Sequence, residues 1–430
     1  MICKNKLIGL LISVAFSYGL TACTDSGGTC SLTECSNNNS NPNNVDFDFQ
    51  GMLVNLADNV IVRNYSEFSA QSKAFHEPEG ALTSYCSNIG TPQELQLKSQ
   101  AQQDWLSMMA QWQQIELHQV GPVATNAVAL RARIHSYGST SGLDTCMVDR
   151  NVVRAGDEGF SISQWQYPAR GLEAIEYLLF NDDLSFTCTS IEEQTPVWQE
   201  MSEQEQRLAR CEYMLLTAED ISSAATMITE SWSGSEGFRA KFTGIENVSE
   251  QLQALSDGLF YLEKTTKDIK LGITTGIKGA GTGTDFCETV ACPERVESPF
   301  SHSSLKNIRN NLVGFWAIYT GGNGLGFDDL IQAKGLSSVN VGFGNEVQSA
   351  IDFIDSMLAN DLQLYAQTQA ILENNHQSEC ANSQGSDSLE TTYTACALHT
   401  KLKLISDRLR TDFITAVNVS LPQSAQSDGD

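Results

Sequence analysis

Basic residues are scarce in this 430-residue sequence, with 26 Lys and Arg against 52 Asp and Glu and a formal net charge of −26 at pH 7. A surface with this charge repels phosphate backbones, which argues against nucleic acid as a partner. The hydrophobic fraction of 41% supplies material for real cores and excludes a chain that is disordered or membrane-spanning throughout. Cations, basic peptides or simple solubility remain as explanations of the negative charge.

Short catalytic motifs are also missing. Neither H-E-x-x-H nor G-x-S-x-G occurs, no C-x-x-C pair is present, and the six histidines are scattered along the chain. A standard zinc peptidase, a serine hydrolase and a cysteine zinc site therefore have no support. The remaining candidates are mainly oxygen donors with one or two imidazoles, and such donors suit hard cations such as ferric iron, calcium or manganese.

Strand-like alternation is scarce, and only nine prolines occur. Most of these prolines separate stretches in which apolar residues recur every three or four positions, the pattern of helices in a bundle. Such stripes occupy residues 95–116, 206–232, 248–269, 305–319, 347–374 and 391–419. The sequence therefore predicts an all-α fold. A polar interval with glycines after Trp232 predicts a domain boundary near residue 245. We therefore expect two helical bundles, at 49–245 and 246–420. A diverged duplication would produce this arrangement.

The first 22 residues have the composition of an export signal, with Lys4 and Lys6 before an apolar run and small residues before Cys23. This ending resembles the bacterial lipobox, which implies that Cys23 is lipidated. Thr24 is not the aspartate linked with inner-membrane retention, so we expect an outer-membrane lipoprotein that faces the periplasm or the cell surface. A plain secreted protein is the alternative. We also expect a flexible tether at 23–48 and a disordered tail at 421–430.

Ten cysteines remain when Cys3 and Cys23 are set aside. An even number of cysteines in an exported chain favours disulfides over free thiols. Pairing neighbours in sequence order predicts the bridges Cys30–Cys35, Cys86–Cys146, Cys188–Cys211, Cys287–Cys292 and Cys380–Cys396.

Glu173 and Glu176 stand in the segment GLEAIEYLL, residues 171–179. On a helix the two carboxylates face the same side, because they are three residues apart. Glu176 is also four residues from Leu172 and three from Leu179, so its carboxylate lies at the edge of a buried stripe, where an unpaired charge is costly. It is therefore protonated, paired with Arg or Lys, or bound to a metal.

Two other segments contribute candidates, namely Glu116 with His118 and, later in the chain, Glu297 with Ser301, His302 and Asn311. A histidine near a helix end, as His118 is, is more often a cap or a surface group than a ligand. Ser301 is also a natural N-cap for the helix that follows it. Asn311 lies among apolar residues, and a buried amide must find partners, so it bridges helices or lines a site.

These segments resemble the imelysin family of bacterial exported proteins. The family hallmark is G-x-H-x-x-E on a helix that continues as an A-I-E-Y-L-L-like stretch, and residues 171–179 match it except that Glu173 stands in place of the histidine. Residues 112–122 resemble an earlier family segment that ends in E…G-P. Residues 297–322 resemble the block E-S-x-[FY]-S-x-x-[ST] of its second domain. The resemblance spans roughly residues 50–420, in order.

The resemblance implies an all-helical fold of two bundles with the matching residues between them. It also implies an association with bacterial iron uptake, as a periplasm-facing lipoprotein or binding component of such a system. The family was named as an insulin-cleaving peptidase in which the histidine and glutamate were proposed as metal ligands. Glu173 removes that imidazole and leaves an E-x-x-E pair, which is better suited to iron.

The leading hypothesis is a non-enzymatic protein that binds iron or another cation, free or chelated, between the two bundles. The expected metal ligands are Glu116, Glu173, Glu176 and His118, and the second bundle is expected to contribute Glu297, Ser301, His302 and Asn311. One alternative is a metallopeptidase with Glu173 and Glu176 as ligands or with Glu176 as the base. The other is an adaptor or surface interaction protein in which these residues only hold the packing.

Overall fold

The computed structural model describes residues 45–124, 128–137, 142–189, 194–278 and 287–426. No β-strand occurs in these ranges, and the all-α prediction is confirmed. Residues Asp46–Asp430 form one compact unit, so the boundary near residue 245 and the duplication stay predictions. The export signal, Cys23 and nearly all of the tether lie outside the described residues. Within those residues, no helix has both the length and the hydrophobicity that crossing a bilayer requires.

The first half of the chain contains a long central helix and several shorter ones. Its α-helices are α1 Phe49–Asn55, α2 Val62–His76, α3 Ala81–Cys86, α4 Glu94–Ile115, α5 Val128–Ile134, α6 Thr145–Arg154, α7 Leu172–Phe180, α8 Gln194–Glu200, α9 Glu203–Trp232 and α10 Phe238–Phe242. Helix α9 begins at a capping box, in which Ser202 and Glu205 satisfy each other's backbone N–H groups. It packs along α2 and α5, so the first half is built around it.

The second half continues with helices and two segments of π-helix. These elements are α11 Val248–Leu259, π2 Leu262–Ile273, α12 Ser304–Thr320, α13 Phe327–Ala333, α14 Ser337–Ala359, α15 Leu364–Asn374, α16 Gln377–Ser383, α17 Thr394–Arg408, π3 Leu409–Phe413 and α18 Ile414–Val417. The label π1 denotes the π-helical segment Leu56–Ile61 of the first half, which joins α1 to α2.

Residues 421–430 were expected to form a disordered tail. That stays a prediction, and residues 427–430 lie outside the described ranges. Before them the structure has a 3₁₀ turn at Gln423–Ala425, where the carbonyl of buried Ala425 accepts a hydrogen bond of 2.9 Å from Arg410.

Two of the predicted disulfides are correct and two are wrong. Cys287–Cys292 and Cys380–Cys396 are confirmed, whereas Cys86 pairs with Cys211 and Cys146 pairs with Cys188. The predicted bridges Cys86–Cys146 and Cys188–Cys211 fail because α3 packs against α9 and so brings residues 125 apart in sequence together. Cys30 and Cys35 lie outside the described residues.

A glycine allows α4 and α12 to approach closely. A Cβ at Gly314 on α12 would stand 2.2 Å from the carbonyl oxygen of Gln114, next to the end of α4. No side chain fits in this space, so the two backbones are almost in contact. The close approach lets the side-chain amide of Asn311 donate a hydrogen bond of 2.7 Å to the carbonyl of Gln113. Helix packing therefore positions the polar residues described next.

Candidate functional site

Polar side chains from six segments meet in the interior of the protein. We call this group the central cluster, and it consists of Gln113, Glu116, His135, Glu173, Lys270, Glu297 and Asn311. Each of these residues is at most 4% exposed. Burying so many charged groups is unfavourable unless each charge has a partner. The contacts below show how the charges are compensated and where they are not.

Lys270, on π2, stands at the centre of the cluster. Its ammonium nitrogen lies 3.0 Å from Glu116 Oε2 and 3.0 Å from Glu297 Oε1. It also donates to the side-chain oxygens of Gln113 at 2.5 Å and Asn311 at 2.8 Å. The ammonium therefore neutralises two carboxylates that come from distant parts of the chain. π-helical turns often occur at functional sites, and here the π-segment carries the central cation.

His135 follows α5 and lies between three carboxylates. Its Nδ1 is 2.8 Å from Glu116 Oε1, and its Nε2 is 3.5 Å from Glu297 Oε1 and 3.8 Å from Glu173 Oε1. Burial favours the neutral ring, but the charges of Glu173, Glu116 and Glu297 outweigh it and raise the pKa of His135 to about 9. His135 is therefore a second cation of the cluster near pH 7.

Glu116 is the most fully compensated carboxylate. Its Oε2 accepts hydrogen bonds from the Tyr261 hydroxyl at 2.7 Å and from the Asn311 amide at 3.1 Å, in addition to the contact with Lys270. Burial alone would raise the pKa of Glu116, but Lys270, His135 and Tyr261 together hold it below its usual range. Glu116 is therefore ionised in the folded protein.

Glu173 is held at the start of α7 by a turn that requires glycine. Gly171 has a φ of +85°, and a Cβ there would stand 2.9 Å from the carbonyl oxygen of Ile134. Glu173 Oε1 accepts hydrogen bonds from the backbone N–H groups of Ser136 and Tyr137, each at 2.7 Å. Its Oε2 is buried and has no hydrogen-bond partner among the described residues. One oxygen of Glu173 thus fixes the loop after α5, and the other remains unused.

Glu176 binds the loop before α12 and has no hydrogen bond from Arg or Lys in the part of the chain that the structure describes. Its Oε1 accepts from the backbone N–H groups of Phe300 at 3.1 Å and Ser301 at 2.8 Å, and from the Ser301 hydroxyl at 2.8 Å. Burial is the main reason that the pKa of Glu176 rises to about 7; Ser301 opposes the rise, and the charges of Glu173 and Glu297 add to it. Near neutral pH the carboxyl is therefore divided between its protonated and ionised forms, and donors of the loop take the place of an Arg or Lys partner.

The structure brings together only some of the residues expected from the sequence. Glu116, Glu173, Glu297 and Asn311 lie in the central cluster, and Glu176 with Ser301 forms a separate hydrogen-bonded pair beside it. The Ser301 side chain binds Glu176, and Ser303 occupies the N-cap position of α12 instead. His302 is exposed with a φ of +55°.

The ring of His118 is buried, but it takes no part in the hydrogen bonds of the central cluster. Its ring packs edge-on against Tyr65 at 6.0 Å, and neither ring nitrogen has a hydrogen-bond partner among the described residues. Burial lowers the pKa of His118 to about 3. The ring is therefore neutral in the folded state, as a core aromatic would be.

This burial predicts a pH effect on stability. Unfolded His118 takes up a proton below pH 6.5 and the folded ring does so only near pH 3, so its contribution to stability falls as the pH drops through that window. The wild-type chain should lose about 2 kcal/mol more unfolding free energy than His118→Phe between pH 7 and pH 5, measured by urea denaturation. His302→Asn, at the exposed histidine, should behave as wild type. Equal losses in His118→Phe and wild type would contradict the assignment.

Sequence reasoning missed His135, Lys270 and Gln113. His135 belongs to no motif, and it comes near Glu116 only because the chain folds back after α5. Lys270 follows directly on an apolar stripe that the sequence places at 248–269. A lysine at the edge of such a stripe was the available signal. The change from α- to π-helix turns the Lys270 side chain away from the direction that a 3.6-residue period predicts. Its partners could therefore not be derived from the sequence.

The cluster contains a donor set that fits a metal. Glu116, His135 and Glu297 each offer one ligand atom, and these atoms lie within 4.8 Å of one another. Glu297 Oε2 is buried without a hydrogen-bond partner among the described residues. Two carboxylates and one imidazole suit iron or manganese. Because Lys270 contacts both carboxylates and His135 carries a proton near pH 7, a metal would bind only as the ammonium withdraws and the imidazole gives up its proton.

A cavity leads to this donor set. It has a volume of about 200 Å³, and its walls include Glu116, His135, Tyr137 and Tyr261. The cavity is large enough for a hydrated ion, because one water occupies about 30 Å³ in the liquid. Two of the three donor residues thus border a cavity that can hold a hydrated cation.

Comparisons with known proteins agree with this fold. The family model described as imelysin matches residues 64–395. An imelysin-like protein from Psychrobacter arcticum 273-4 has a TM-score of 0.60 at 13% identity, covering 88% of this chain and 99% of that one. A protein from Parabacteroides distasonis ATCC 8503, described as an iron-regulated protein A precursor, has a TM-score of 0.55 at 14% identity, covering 84% and 95%. At these identities the structures show the fold alone. A comparison with curated proteins found no match.

Proposed function

The chain belongs to the imelysin family, and from this premise we propose that it binds a cation, with iron as the first candidate, at the central cluster. The observation that carries the proposal is the convergence of Glu116, His135 and Glu297 within 4.8 Å. These ligands come from three separate segments, so only the folded protein assembles them. Glu173 lies beside His135 and completes the acidic surroundings.

The charge balance of the cluster supports this proposal. The carboxylates of Glu116, Glu173 and Glu297 face the two cations Lys270 and His135, so negative charge exceeds positive charge by one. A metal ligates the neutral imidazole, so a divalent ion would replace the His135 proton and add one net positive charge, which would balance the cluster. Iron is preferred because the donors are carboxylates and an imidazole. The description of the Parabacteroides protein as iron-regulated makes iron the first ion to test.

The proposal predicts saturable binding of iron that depends on Glu297. The chain with Cys23→Ser, which prevents lipidation, is titrated calorimetrically with ferrous iron, chelated ferric iron, calcium, manganese and zinc. Glu297→Gln keeps an oxygen for the 3.0 Å hydrogen bond from Gln113 but removes the charge. We expect it to weaken iron binding at least about 100-fold, because a direct ligand contributes more than an outer-shell partner.

Glu236→Gln serves as the matched control, because Glu236 is exposed and belongs neither to the central cluster nor to the walls of the cavity beside it. It should bind iron as the parent chain does. Absence of saturable binding for every ion, or an unchanged affinity in Glu297→Gln, would refute the proposal and favour the interpretation of the cluster as packing alone.

We further propose that the protein acts as a lipoprotein component of an iron-uptake system on the periplasmic side of the outer membrane. Support comes from the sequence: the small residues before Cys23, the absence of aspartate at Thr24 and the polar tether that follows. Incorporation of labelled palmitate into the expressed chain, abolished by Cys23→Ser, tests the anchor. A labelled Cys23→Ser chain would contradict it.

A further inference from the structure

A second cavity borders two other carboxylates of the central cluster, Glu173 and Glu297. Its volume is about 460 Å³, which is within the range of small-molecule sites. The walls combine the carboxylates of Glu173, Glu176 and Glu297 with the aromatic rings of Tyr137, Phe300 and Tyr365. A small organic molecule could therefore contact acidic and aromatic groups at once.

Two of the carboxylates that line this cavity each have one buried oxygen without a hydrogen-bond partner among the described residues. Glu173 and Glu297 are 4% and 2% exposed, and each uses only its Oε1 in the contacts described above. The Oε2 atoms of both residues have no hydrogen bond among the described residues. A buried carboxylate oxygen without a donor costs free energy. A ligand with N–H donors would supply what the protein lacks here.

The charges around the cavity favour a ligand that carries a positive charge. Glu294 adds a fourth, exposed carboxyl group to the wall, and Arg295 is the single basic residue among the described residues that line it. An anionic ligand would meet this acidic wall unfavourably, whereas a cation is attracted. Aromatic rings such as those of Phe300 and Tyr365 also attract cations through their faces.

We propose that this cavity binds a small organic cation that carries a primary ammonium or guanidinium group. The charged group donates hydrogen bonds to Oε2 of Glu173 and of Glu297, and the organic body lies against Phe300 and Tyr365. This inference goes beyond the proposed metal binding, because the ligand is organic, contacts Glu173 and the aromatic wall as well as Glu297, and requires no metal. An ammonium or guanidinium supplies several N–H donors at once, which matches two unpartnered oxygens.

The test is a calorimetric titration of the Cys23→Ser chain with benzylamine and with butylguanidine, in the presence of EDTA. Benzyl alcohol is the neutral probe of nearly the same shape. Glu173→Gln keeps an oxygen to accept from Ser136 and Tyr137, and it replaces the unpartnered oxygen with an amide group. We expect saturable binding of both cations, no binding of benzyl alcohol and at least about 10-fold weaker binding in Glu173→Gln.

Two further variants separate this site from attraction to an acidic surface. Tyr365→Ala should weaken benzylamine binding about 3-fold while Tyr365→Phe should not change it, since a ring face contributes about 0.5–1 kcal/mol. Glu236→Gln should also leave binding unchanged. Equal binding of benzyl alcohol and benzylamine, no saturable binding, or full affinity in both Glu173→Gln and Tyr365→Ala would overturn the proposal. Since EDTA removes metal, failure here leaves the iron result unaffected.

Discussion

Replacement of Lys270 by methionine is expected to lower the free energy of unfolding by about 3–5 kcal/mol. Methionine has a similar length, so the substitution removes the ammonium and leaves little cavity. The carboxylates of Glu116 and Glu297 then lose the cation that lies 3.0 Å from each of them. Asn311 and Gln113 also lose a donor. Removing one partner from a buried ion pair costs more than the pair contributes, because the other charge stays buried.

The same variant should gain stability from added cations. A divalent ion can take the place of the ammonium between the carboxylates, and binding to the folded state alone raises the melting temperature. We expect manganese or ferrous iron to restore part of the loss in Lys270→Met, as followed by thermal unfolding. Lys401→Met is the control, since Lys401 is also buried but pairs with Asp387 and Ser349 outside the cluster. Equal rescue of both variants, or of neither, would contradict the assigned role of Lys270.

Gly314→Ala should be among the most damaging small substitutions in the chain. Its Cβ would stand 2.2 Å from the carbonyl oxygen of Gln114, a contact that no rotamer change can relieve. The helices α4 and α12 must separate, at a cost of about 3 kcal/mol. Separation also moves Glu116 away from Asn311, so we expect iron binding to weaken together with stability.

Gly344→Ala provides the matched control for this prediction. Gly344 lies on α14, and its Cβ would meet only Trp316 at 3.6 Å, an ordinary contact. Alanine has the higher helix propensity, so Gly344→Ala should be neutral or stabilising by up to about 1 kcal/mol. Urea denaturation and iron titration of the two variants check the pair. A Gly314→Ala chain as stable as Gly344→Ala would show that the helices are not held in close contact.

The fold was largely predictable because local sequence determines helices. The stripes at 206–232 and 248–269 lie within or across α9, α11 and π2, and periodicity needs no knowledge of distant contacts. The bridge Cys86–Cys211 was not predictable, because it depends on how α3 packs against α9. Sequence order succeeded for Cys287–Cys292, where the cysteines are five residues apart and the connection is local.

The candidate site was predictable in its carboxylates and in Asn311 but not in its cations. Glu116 and Glu297 stand in segments that resemble the family, so they could be named from sequence alone. His135 has no motif, and the direction of Lys270 depends on a π-helix, so the two cations required the structure. His118 was chosen because it is two residues from Glu116, but its ring lies against Tyr65. Beyond the end of a helix, two residues that are close in sequence need not point to the same side.

X-ray absorption at the iron edge, measured on the iron-loaded protein, tests the central claim most directly. The donor set of Glu116, His135 and Glu297 predicts an oxygen-rich shell with the scattering signature of one imidazole. That signature should disappear in His135→Gln and persist in His118→Phe. An iron shell that lacks imidazole in the parent chain, or one that keeps it in His135→Gln, would show that iron does not bind at the central cluster.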